Sequence, residues 1–87
     1  MNDEEIKQKI INILNASSYK LLSFERNHSC FGNMIAIISL GLKRYIFVSD
    51  RGDIFCDGNL VISSDYHVSG EDDSPVYFLK AIEQLLQ

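Results

Sequence analysis

Lys43-Arg44-Tyr45-Ile46-Phe47-Val48-Ser49-Asp50-Arg51-Gly52-Asp53-Ile54-Phe55-Cys56-Asp57-Gly58-Asn59-Leu60-Val61-Ile62 is the stretch on which the fold turns. It is rich in β-branched and aromatic residues and is cut twice by Asp-containing turn signals. Asp57-Gly58-Asn59 suits a tight hairpin, because Asp-Gly accepts positive φ at low cost. Asp50-Arg51-Gly52 suits a second tight turn, with the glycine in the left-handed position. Connections this short require antiparallel neighbours, since a parallel crossover needs a dozen or more residues.

Outward from this stretch the period-two pattern runs from Tyr19 to about Val68. It divides into five strands at about 19–26, 33–40, 43–49, 53–56 and 60–68, with Gly32-Asn33 and Gly41 separating the early ones. Before it, Ile6, Ile10, Ile13 and Leu14 recur at helical spacing over residues 3–15. Asn2 and Glu5 have the spacing of a capping box, and the acids at 3 to 5 suit the positive end of the helix dipole. After it comes the polar run 69–74, then a second helix for which Ser74 is the expected N-cap and Pro75 the first helical residue. Phe78, Leu79, Ile82, Leu85 and Leu86 form its apolar stripe. The expected fold is α+β, one domain over residues 1–87, in the order α-β-β-β-β-β-α: an antiparallel sheet with two terminal helices packed on it.

Composition narrows the function. The chain has 87 residues, 46% hydrophobic and 23% charged, with a formal net charge of −4. That balance is globular and speaks against unaided binding to nucleic acid or an anionic membrane. The acidic start Asn2-Asp3-Glu4-Glu5 is unlike a secretory signal, and the longest apolar run, Met34 to Ile38, is too short to span a bilayer. Two cysteines are too few for a disulfide scaffold. Together these features point to the cytoplasm.

The charge is uneven. Residues 50 to 75 carry Asp50, Asp53, Asp57, Asp65, Glu71, Asp72 and Asp73 against the single base Arg51. The rest of the chain has five acids and seven bases. Solvated turns and helix starts account for such acids; so does a surface for a basic partner. Alternation sharpens the second reading. Asp53, Phe55 and Asp57 share one face of the fourth strand, and two aspartates do not belong in a core. In the fifth, Leu60, Ile62, Tyr66 and Val68 are the expected core set, with Val61, Ser63, Asp65 and His67 opposite. If Ile46 and Val48 face the helices, Tyr45, Phe47 and Phe55 stand outside, ringed by Asp53, Asp57, Asp65 and His67. Aromatics inside a charged rim are the anatomy of a protein interface. The alternative is a helix on each face of the sheet, or a loop over these rings.

Catalytic and metal patterns are weak. His28, Cys30, Cys56 and His67 are possible zinc ligands, but without paired-cysteine or paired-histidine spacing. Two histidines do not by themselves specify a nuclease, and nothing near Cys56 in sequence activates it as a nucleophile. Asp53 to Gly58 lacks the acids of a calcium loop, and Arg51-Gly52-Asp53 is read as a turn rather than an adhesion tripeptide. No glycine loop cradles a phosphate. The expectation is a protein without cofactor, metal or catalysis.

In size, acidity and architecture the whole chain resembles the immunity proteins of bacterial contact-dependent inhibition and other polymorphic toxin systems, a class with no common motif. That resemblance implies one cognate protein partner, a toxin domain and often a basic nuclease, whose active site or a neighbouring surface is covered. The competing classes are a chaperone for a secreted effector and a regulatory subunit of a stable complex. Self-association through an uncovered sheet face or the second strand's edge is left open.

Overall fold

The computed structural model describes residues 1–29, 33–66 and 73–86. Helix α1 spans Asp3–Leu14 and begins with the capping box: Glu5 N–H donates to Asn2 Oδ1 (2.8 Å) and Asn2 N–H to Glu5 Oε1 (3.4 Å). Ile6, Ile10 and Leu14 are buried, and Ile13 packs at the margin of the core. The helix ends where Ser17 turns back on the Leu14 carbonyl through both its backbone N–H (3.1 Å) and its hydroxyl (2.6 Å).

Five strands follow: β1 Lys20–Asn27, β2 Asn33–Leu40, β3 Lys43–Asp50, β4 Asp53–Cys56 and β5 Asn59–Ile62. They pair in sequence order, each antiparallel to the next. The β3–β4 and β4–β5 loops have two residues each. Both central residues of each loop have positive φ: Arg51 (51°) with Gly52 (89°), and Asp57 (51°) with Gly58 (84°). That is the dihedral signature of the turn whose twist matches flanking strands. It goes beyond the expected left-handed glycine, since Arg51 is left-handed as well.

The fifth strand is shorter than expected. It stops at Ile62 and a 3₁₀ turn occupies Ser64–Tyr66. Two side-chain acceptors end it: Ser64 N–H donates to Asp53 Oδ1 (2.7 Å) and Asp65 N–H to Ser63 Oγ (3.2 Å). Side-chain acceptors thus take the donors that would have continued the ladder. The expected strand residue Val68 lies outside the described residues.

Helix α2 spans Ser74–Leu86. The Asp73 carbonyl accepts from Tyr77 N–H (3.2 Å), so the cap falls one residue earlier than Ser74 and Pro75 sits one place further into the helix. Phe78, Ala81, Ile82 and Leu86 are buried, whereas Leu85 is exposed. Both helices lie on the same side of the sheet. α1 packs on β1 and on α2, and α2 packs on β3, β4 and β5. The core between sheet and helices contains Met34, Ala36, Ile38, Phe47, Ile54 and Cys56 from the strands, with Phe24 against Phe78 at 6.3 Å between ring centroids.

Candidate functional site

With both helices on one side, the other side of the sheet is the place to look. Its composition follows from register. In β2 the buried residues are Met34, Ala36 and Ile38, so Ile35 and Ile37 point the other way. Ile37 stands opposite Ile46, Ile35 opposite Val48, Val48 opposite Phe55, and Phe55 opposite Leu60. These six apolar side chains run as two adjoining rows across four strands. Ile35 (44%), Ile46 (43%) and Leu60 (56%) are exposed, while Ile37, Val48 and Phe55 are half-buried by their neighbours. Among the described residues no helix packs on them.

Two expectations about this face need correction. Phe47 was expected outside but is fully buried, and Tyr45 packs at the edge of the same core, where its ring meets Tyr19 edge-on at 5.9 Å. Conversely Ile46 and Val48 are outward, not toward the helices. The Arg51-Gly52 turn pairs Asp50 with Asp53, hence Val48 with Phe55 and Phe47 with Cys56. Phe47 and Phe55 therefore cannot share a face. In β5, Leu60 was expected in the core but is exposed. The Asp57-Gly58 turn sets it opposite the outward Phe55, and an irregularity in the pairing then lets both Val61 and Ile62 pack against the core. Nor is there one helix on each face among the described residues: α1 and α2 pack on the same side.

The aspartates divide by task. Asp50 and Asp53 face each other across the ladder at one end of the apolar rows. Asp50 Oδ1 accepts from Asn33 Nδ2 (3.1 Å), and Asn33 Oδ1 in turn accepts from Arg51 N–H (3.0 Å). Asp53 holds the start of the 3₁₀ turn through Ser64. Asp57 accepts from Ile46 N–H (2.9 Å) and returns its own N–H to the Ile46 carbonyl (2.9 Å), so it extends the β3–β4 ladder by one step. Each of the three thus has a structural use beside any role in binding. Asp65 is exposed on the 3₁₀ turn. Asp73 heads α2, on the covered side of the sheet, apart from the apolar rows. His67, Glu71 and Asp72 lie outside the described residues.

An open depression of about 1120 Å³ adjoins the Asp50 end of the face. Asp3, Glu4, Glu25 and Asp50 line it with Lys7, Arg26 and His28, and Ile35 and Val48 supply apolar wall. Within it His28 Nε2 is 3.1 Å from both Asp3 carboxylate oxygens, Arg26 Nη1 is 3.8 Å from Asp3 Oδ1, and Arg26 also donates to the Met1 carbonyl (3.2 Å). These contacts fasten the head of α1 to the end of β1.

Of the other candidate chemistry, Cys56 is a free, buried thiol. Burial pushes its pKa up, the Asp57 carboxylate adds to the rise, and the Lys43 ammonium opposes it. That is the reverse of nucleophile activation. Cys30 lies outside the described residues, and among the described residues no group of three or more His, Cys, Asp or Glu side chains could hold a metal ion. No helix among them is long and apolar enough to cross a membrane.

Comparison with known proteins adds no name to this geometry: no protein-family model, no curated protein and no solved structure matches the chain.

Proposed function

We propose that the chain is a non-enzymatic binding domain that lays the open face of its sheet on one protein partner, and that this partner is a basic toxin domain neutralised in the cytoplasm. The observation that carries the reading is the apolar double row Ile35, Ile37, Ile46, Val48, Phe55 and Leu60, ending at the facing pair Asp50 and Asp53. A contiguous apolar patch edged by charge is what an interface presents before it is occupied. The apolar rows supply desolvation and most of the affinity, while the carboxylates steer and select. The depression beside Asp50, with four acids against two fixed cations and one histidine, favours a partner carrying lysine or arginine. A nuclease must be basic to hold its phosphodiester substrate, and ordered carboxylates offer charge where phosphates lie. A like-charged pair facing across the ladder is also mildly destabilising, a cost that a basic partner's charge relieves.

The test begins with capture from the native host at low and high salt and identification of the bound protein. Co-expression with that protein then shows whether the chain protects cells from it. The expected result is capture that weakens with salt and protection that is lost in Ile46→Asp and Phe55→Ala, both verified as folded by circular dichroism. Protection by both variants at the wild-type level would reject the open face as the binding surface. A partner that harms no cell when expressed alone would reject neutralisation and favour a chaperone or subunit role.

A further inference from the structure

We infer that, when no partner occupies it, the open face pairs with the open face of a second copy of this chain, about a two-fold axis that crosses the strands over the middle of β3. Along the outward side of β3 the order is Arg44, Ile46, Val48, Asp50: base, apolar, apolar, acid. Face-to-face sheets leave two simple ways to apply a two-fold axis in the plane between them. An axis parallel to the strands lays Arg44 over Arg44 and Asp50 over Asp50, which opposes like charges. An axis across the strands reverses the direction, so each Arg44 lies over the other copy's Asp50 and each Ile46 over its Val48. With the axis across the strands each strand lies over its own copy, so the charge match on β3 occurs twice. The flanking strands add no such match: Lys20 marks the Arg44 end of β1, whose Asp50 end carries the neutral Asn27, and Asp53 marks the Asp50 end of β4, which has no base at its other end. Two further outward charges, Glu25 and Asp57, lie between the ends; Asp57 is engaged by the Ile46 N–H.

Area sets the strength. Five strands about 4.8 Å apart span about 19 Å, and Arg44 to Asp50 at about 3.4 Å per residue covers about 20 Å. The footprint is therefore about 400 Å² per copy before side-chain relief, about half of what each partner of a standard specific interface buries and in the range of weak, transient contacts. The pair is a weak one, with a dissociation constant on the order of 10–100 µM. It uses the surface assigned above to the basic partner, so the two occupants exclude each other, and the tighter one displaces the second copy.

Sedimentation equilibrium from about 5 to about 500 µM chain at low salt brackets that range. The wild-type mass should climb from monomer toward dimer. Arg44→Glu and Asp50→Lys should each raise the midpoint by about tenfold or more, and the double variant R44E/D50K should return it to within about threefold of wild type. Circular dichroism verifies each fold, and Arg44→Glu alone carries the test should Asp50→Lys disturb the Asn33 contact. A chain that stays monomeric throughout overturns the inference. So does a dimer indifferent to Arg44→Glu, which would place the contact elsewhere, for example on the open edge of β1. A monomeric chain that still captures a basic protein leaves the proposed function standing, and a dimer that captures none leaves only the self-pairing.

Discussion

Asp50 and Asp53 stand directly across the ladder from each other, an arrangement that costs a few tenths to about 1 kcal/mol in an antiparallel pair. Asp50→Asn keeps the oxygen that accepts from Asn33 and removes the charge. Thermal unfolding should therefore show a gain of about 0.3–1 kcal/mol, while capture of the basic partner weakens. A loss of stability would mean that the charge serves the fold. Cys56 gives a second test at this scale. Its raised thiol pKa means that the folded state prefers the neutral form. The stability this preference contributes is whole below the usual value of 9.0 and is lost as pH rises through the folded value. Urea unfolding between about pH 8 and 10 should thus fall more steeply for wild type than for Cys56→Ala. Alkylation followed by peptide mapping should label Cys56 far more slowly in the folded chain than in urea.

At the scale of elements, the decisive matter is which way β3 faces. Phe47 fills the core, so Phe47→Ala should cost about 3–5 kcal/mol, a large share of the roughly 4–13 kcal/mol available to a domain this size. Phe55 rests half-buried on the open face, and Phe55→Ala should cost no more than about 1.5 kcal/mol in denaturant titration. Equal losses would contradict the register. The sequence carried most of this information. Helical spacing marked α1 and α2, alternation marked the strands, and two-residue turns marked the hairpins. The facing of Phe47 was also encoded, because a two-residue loop between Asp50 and Asp53 makes Val48, not Phe47, the neighbour of Phe55. Aromatic residues near aspartates drew attention to the wrong side of β3. The end of β5 was less legible, since it depends on Asp53, eleven residues away, accepting the Ser64 N–H.

For the molecule as a whole, the asymmetry is that two helices serve one face of a five-stranded sheet. Alternation alone does not say which face the helices take, because Ile35, Ile37, Ile46 and Val48 read as core residues as well as Met34, Ala36 and Ile38 do. An apolar outer face in strands with a covered inner face is legible only once the helices are placed. The uneven charge was visible as a string, but its grouping was not. Of seven acids between residues 50 and 75, Asp50 and Asp53 meet at the end of the apolar rows, Asp57 joins the ladder and Asp73 goes to the head of a helix.

The run of tight hairpins from β2 to β5 also sets how the chain finds its fold. Neighbours in sequence are neighbours in the sheet, so β2 to β5 assemble through short loop closures, while the meeting of α1 with α2 and the docking of α2 on β3 and β4 join distant parts of the chain. Such local wiring favours fast folding with the sheet formed early and the helices docking late. Gly58, at φ 84° with open space around it, is the position to probe. Stopped-flow measurements on Gly58→Ala should show refolding slowed and unfolding little changed, whereas truncating Ile10 or Ile82 should mainly hasten unfolding. The reverse partition would mean that the helices nucleate the sheet.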